Sequence, residues 1–155
     1  MVHTRRMAGM AIGILLLTIA YAAGQKSPVQ PPVQGIVWQT RLEEARQLAQ
    51  KNKKVVLVDF MAEWCQYCKM LDDSTFPDQA VIKKLRVFVP VKIDVDKQKA
   101  LADKYGANAR KNGGMGIPNI LFLSPDGKKL KHIVGYRNPK AFVAVLDSVL
   151  MIADN

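Results

Sequence analysis

Apolar side chains along residues 36–155 recur with two different periods, and the switches between them mark the elements. A short strand is expected at Ile36–Trp38. Leu42, Ala45, Leu48 and Ala49 then repeat at helical spacing through Lys51, behind Thr40 and Glu43, which have the T-x-x-E spacing of a capping box. Val55–Met61, VVLVDFM, is nearly continuous and β-branched, as suits a central strand covered on both faces. A helix follows from about Cys65 to Asp72. Ser74-Thr75-Phe76-Pro77 interrupts it, because proline disfavours helix at the residue before it. Asp78 is suited to cap a second helical piece with Val81, Ile82 and Leu85 facing inward. Val87–Val95 is the next strand, and Pro90 within it calls for an edge or a bulge.

Lys97–Tyr105 reads as a short helix ended by Gly106, and the three glycines of Ala107–Gly116 predict a mobile loop. Ile117-Pro118 leads into a strand at Asn119–Ser124. The turn sequence Ser124-Pro125-Asp126-Gly127 then sends Lys129–Gly135 back as an antiparallel partner. Asn138 caps the last helix with Pro139 at its first position. Phe142, Val145, Leu146, Val149 and Leu150 give it the clearest amphipathic stripe in the chain. The helix–strand–helix–strand order predicts an α/β domain with a mostly parallel sheet and right-handed crossovers, made mixed by the final hairpin.

Residues 1–23 break this pattern. Arg5 and Arg6 precede the apolar run MAGMAIGILLLTIAYAA, and Ala20-Tyr21-Ala22 fits a small-x-small cleavage site. The stretch reads as an export signal or, if retained, as a membrane anchor through residues 7–23 near the lower length limit for a span. Residues 24–35, GQKSPVQPPVQG, have the composition of an extended flexible linker. The expected organisation is therefore 1–23 export signal or anchor, 24–35 linker and 36–155 folded domain.

The chain of 155 residues carries a net charge of +10, with lysines and arginines scattered near element ends and turns. They lack aromatic interleaving and a nucleic-acid motif, so a solvated surface accounts for them better than nucleic-acid binding. Acidic lipid headgroups or an acidic partner surface remain open.

The candidate chemistry lies in Cys65-Gln66-Tyr67-Cys68, which holds the only two cysteines. Cys-x-x-Cys at a strand-to-helix junction is the mark of a thiol–disulfide redox site. As a staple this small ring contributes little, roughly 2 kcal/mol in the chain-entropy formula. As a switch it is well built, because both sulfurs stay close when reduced. A thiolate at Cys65 would meet the unpaired N–H groups and positive dipole end of the helix, and such a thiolate attacks disulfides faster. Cys68, one turn in, is expected to be more buried and to resolve the mixed disulfide.

Zinc wants four ligands, and no second cysteine pair exists. His3 lies in the export segment and His132 stands alone in a strand. Copper(I) held by the two thiolates with Met70 or Met115 remains the alternative from another class, although Met70 also fits a core helix position. Asp59, the one acid in VVLVDFM, should have a raised pKa if buried and is a candidate to take the Cys68 proton. A solvated or lysine-paired aspartate at the strand end is the alternative. Trp64 fits either a partner-facing surface or the core, and Lys69 either a local positive field or plain exposure.

These residues resemble the thioredoxin superfamily over most of residues 36–155. Asp59 stands six residues before Cys65 in V-D-F-x-A-E-W-C-x-x-C-K, and Gly116-Ile117-Pro118 resembles the family's cis-proline loop. The resemblance implies a thioredoxin-like fold, a central mixed sheet flanked by helices, and a substrate-binding role for Trp64, Ile117 and Pro118. It also implies a monomeric protein-disulfide oxidoreductase that needs no cofactor, binds no metal and exchanges electrons with protein disulfide or dithiol partners. Gln66-Tyr67 replaces the Gly-Pro of cytosolic members, and Asn119 stands where threonine is usual. Pro90 falls near the position of a family lysine that neighbours the buried aspartate. With the TFPDQAV segment and the export signal, these departures make the chain more similar to exported members. Reduction is the direction expected by analogy, with oxidase or isomerase activity the alternative; a periplasmic or secreted location follows from the leader.

Overall fold

The computed structural model describes residues 35–107 and 115–154. The expected export segment, most of the linker and most of the glycine-rich loop lie outside the described residues.

Helix α1 (Leu42–Asn52) begins later than the sequence suggests, with Arg41 as its N-cap and no side-chain cap bond. The Thr40–Glu43 capping box does not form. Gln39 is the reason: its N–H and C=O are bonded at 2.9 Å each to Pro90 and Lys92, holding the backbone extended up to the helix start. The strand expected at Ile36–Trp38 shrinks to this single parallel bridge between Gln39 and Val91. Leu42, Ala45 and Ala49 are buried, whereas Leu48 turns outward.

Strand β1 (Val55–Met61) is buried along nearly its whole length. It is followed by α2 (Gln66–Met70), a π turn (Leu71–Thr75), α3 (Gln79–Leu85) and β2 (Phe88–Asp94). The break expected at Ser74 is replaced by the π turn, closed by Phe76 N–H to Leu71 C=O at 2.9 Å. Widening the register there buries Leu71 and Thr75, and the Thr75 hydroxyl donates to the Arg137 carbonyl at 2.7 Å. Asp78 caps α3 as expected, accepting the N–H groups of Ala80 and Val81. Pro90 sits at the outer edge of β2, where its carbonyl accepts from Gln39 and its missing N–H deprives β1 of nothing.

After α4 (Lys99–Lys104) come β3 (Asn119–Leu123), β4 (Lys129–Val134) and α5 (Pro139–Ala153). Asn138 caps α5 through the Ala141 N–H, with Pro139 at the first turn. The sheet runs β2-β1-β3-β4. Only β1 and β2 are parallel; β3 is antiparallel to both β1 and β4. The sheet is mixed, as the resemblance implies, but only one of its three strand pairs is parallel, fewer than the order of elements suggests. Between β2 and β3 the chain is not carried back along the strand direction. Strand β3 therefore starts at the end where β1 and β2 finish, with Asn119 opposite Phe60.

One face of the sheet packs Val56, Val58, Phe60, Val91 and Leu121 under α1 and α4. The other packs Leu57, Phe88, Ile120 and Phe122 under α3 and α5, whose Phe142, Leu146 and Val149 are buried. Burying side chains of this size contributes about 1.5–3 kcal/mol each. That rigid slab holds the end of β1, the start of β3 and the cysteine turn at one rim.

Candidate active site

The rim carries a Cys65–Cys68 disulfide. Cys65 is the N-cap of α2 and not a residue of its first turn, with extended backbone at φ −81° and ψ 103°. Its sulfur accepts the Cys68 N–H at 3.2 Å. A helix entered in this way leaves N–H groups pointing at the sulfur. Cys68 is the more buried of the pair, at 2 % exposure against 5 % for Cys65.

Trp64 and Tyr67 flank the disulfide on the surface, exposed by 59 % and 60 %. Trp64 is therefore not a core residue. Its indole N–H donates to Asp96 at 2.8 Å, which fixes the ring without burying it. Lys69 is exposed. Met70 is also exposed, contrary to the core position it was suited to, because α2 is only five residues long and gives way to the π turn immediately after it.

The Ile117–Pro118 peptide is cis, as the resemblance implies. Gly116 before it has φ +94°, a left-handed backbone that favours glycine. Ile117 packs against the cluster that contains Cys65 and Cys68. The Pro118 carbonyl accepts the Gly135 N–H at 2.8 Å, which ties the loop to the end of β4. Asn119, buried at the start of β3, approaches the His132 ring at 2.6 Å.

Asp59 is 1 % exposed, so it is not a solvated residue. Burial raises its pKa to about 7; Lys92 works against that shift and Asp72 adds to it. The Lys92 ammonium lies 3.6 Å from the Asp59 carboxylate and closer still to that of Asp72. It also sits over the rings of Trp38 and Phe76, at 4.7 and 5.2 Å from their centres. The second Asp59 oxygen, Oδ1, is buried without a hydrogen-bond partner among the described residues. An orphaned acceptor of this kind favours the protonated carboxyl.

Lys92 and Asp72 are the site residues that the sequence reading did not find. The lysine beside the aspartate stands two positions after Pro90, on the same face of β2 and directly opposite Asp59. The available signal was a single basic residue inside the apolar run VFVPVKI, and an acid four residues after Cys68, one helical turn on. Among the described residues no cluster of three or more histidine, cysteine or acidic side chains stands together.

A paired-cysteine turn at the mouth of a helix, on a mixed sheet and beside a cis-proline loop, defines a thiol–disulfide oxidoreductase of thioredoxin fold. Residues 42–150 match the family described as "Thioredoxin-like domain", and the chain belongs to that family. It is 36 % identical over 103 residues to thioredoxin of Bacillus subtilis, covering 66 % of this chain and 88 % of that one. It is 33 % identical over 94 residues to the thiol:disulfide interchange protein DsbD of Campylobacter jejuni, covering 61 % of this chain. The match spans only 16 % of the length of that relative. Among solved structures, a thioredoxin from Thermus thermophilus superposes with a TM-score of 0.67 at 27 % identity, covering 77 % of this chain and 91 % of that one.

Proposed function

We propose that this chain reduces protein disulfides outside the cytoplasm, with Cys65 as the attacking sulfur and Cys68 as the resolving one. The observation that carries the reading is the disulfide at the start of α2, with the Cys68 N–H directed at the Cys65 sulfur. In the reduced protein that donor and the helix end favour negative charge on Cys65.

The Cys65 thiolate attacks a disulfide of the partner, forming one S–S bond, breaking the partner's own and expelling one partner sulfur as a thiolate that takes a proton from water. Asp59, about half ionised at pH 7, takes the Cys68 proton in its carboxylate form, directly or through a water. The Cys68 thiolate then attacks the Cys65 sulfur, and the second partner sulfur leaves. The products are a dithiol partner and the Cys65–Cys68 disulfide, which a dithiol donor resets. Trp64, Tyr67 and the half-buried Ile117 offer the surface on which an extended partner segment rests, and the buried Pro118 fixes the course of the loop beneath it.

Support for the reducing direction is electrostatic. Strongly oxidising couples owe their potential to a heavily stabilised reduced form. Here the Cys65 sulfur accepts one neutral donor among the described residues. Export rests on residues 1–23, and similarity to interchange proteins named DsbD agrees with it. We read residues 36–155 as a monomeric domain joined through 24–35 to a leader that is either cleaved or kept as a tether.

Cys68→Ser tests the mechanism. It should accumulate mixed disulfides through Cys65 with protein partners, and Cys65→Ser/Cys68→Ser should accumulate none. A Cys68→Ser protein that captures no partner overturns the exchange mechanism.

A further inference from the structure

A groove of about 540 Å³ lies away from the disulfide. It opens where α1 and α3 end and β2 begins. Val37, Leu48, Ile82 and Phe88 supply its apolar walls, and its charged lining residues, Lys54 and Arg86, are both basic. The topology brings more cations to this end. Two residues separate α1 from β1, with Lys51 in the last turn of α1 and Lys53 its C-cap, and two separate α3 from β2, with Lys83 in the last turn of α3. The β3–β4 turn adds Lys128 and Lys129, because Leu123 lies beside both Val56 and Lys129.

Some of this charge is answered locally. Lys84 pairs with Asp147, Lys128 pairs with Asp126 at 3.2 Å, and Asp154 lies at the end of α5. The C-terminal dipole ends of α1 and α3 offset a further part. Lys51, Lys53, Lys83, Arg86 and Lys129 nevertheless stand exposed. Interleaved with them are exposed apolar side chains: Val37, Leu48 and Val87, with Met151 and Ile152 where α5 ends beyond Lys84.

We propose that this end of the domain rests on the surface of an anionic phospholipid bilayer, which turns the disulfide away from the lipid. Cations for the headgroups and aliphatic side chains for the layer beneath them are what such a surface selects. Nucleic acid would call for aromatic platforms, and the exposed apolar residues of this patch are aliphatic. Chain length agrees. Gly35 lines the groove, and the apolar run of the sequence ends at Ala23, twelve residues earlier. Twelve residues span at most about 40 Å. Strand β1 separates the patch from the cysteine turn by roughly 20 Å.

The test is partitioning of the full chain onto vesicles of phosphatidylcholine alone and of phosphatidylcholine mixed with phosphatidylglycerol. Binding to the acidic vesicles should be about tenfold stronger and should fall as salt is added. Lys51→Glu/Lys83→Glu/Arg86→Glu should abolish that preference, as should Lys128→Glu/Lys129→Glu in an exposed turn where misfolding is not a concern. Lys69→Glu/Lys99→Glu/Lys104→Glu, with the same change in net charge as the first variant, should retain it. Equal binding to both vesicles overturns the proposal, as does a preference lost equally in the control variant. Binding to a duplex oligonucleotide as tight as to the acidic vesicles also overturns the assignment to lipid. Retention on phosphatidylcholine alone reports the apolar leader, so the failure of an anchor at residues 7–23 would be read separately.

Discussion

At the scale of single residues, the unusual group is Asp59. An acid whose folded pKa lies above its unfolded value holds its proton in the native state while the unfolded chain has lost it. Its ionisation therefore weakens the fold as pH rises from about 4 to about 7, and the loss is complete above that. Asp59→Asn should stabilise the protein by about 2–4 kcal/mol at pH 8 and by little at pH 4, as denaturant titrations at the two pH values would read. Lys92 keeps Asp72 as a partner in that variant, so no buried cation is stranded. The same substitution should slow release of the trapped partner by about 10- to 100-fold. Lys92→Met should move the pH midpoint of that release upward from about 7, because it removes the charge that opposes the effect of burial. Asp59 was legible in the sequence as the lone acid in an apolar strand. Its neighbours were not, because a parallel register pairs Asp59 with Lys92 across 33 positions, and local periodicity does not report such a pairing.

Among the elements, those that were legible carry their own signals. Asp78 and Asn138 supply caps just before apolar-periodic runs, and both caps form. Asp78→Ala removes an acceptor from two N–H groups and should lower stability by about 1 kcal/mol, read as a shift in the denaturation midpoint. Thr40 and Glu43 carry an equally good local signal that fails, since Gln39 is held by β2 and the chain enters α1 too late to use it. Tertiary bonding overrides local preference there. The π turn is a similar case: nothing in LDDST announces it, and it exists because Leu71 and Thr75 both find buried places under α5.

For the whole molecule, the proposed reductase direction requires a low potential. The Cys65–Cys68 couple should equilibrate with glutathione nearer to thioredoxin, about −270 mV, than to a strong oxidant near −120 mV. A value close to the latter would reverse the assignment to that of an oxidase. The α/β class and hairpin were readable from the order of elements, whereas the direction of β3 was not, because local periodicity does not report at which end of the sheet the long link after α4 delivers the chain. One consequence of the Gln39 bridge and Pro90 concerns crowding. A neighbouring molecule laid along β2 would find part of the ladder already occupied and one rung without a hydrogen. That flank is thus guarded against runaway stacking of copies during refolding, and Pro90→Val, which restores the missing hydrogen, should raise the light scattering of a refolding sample.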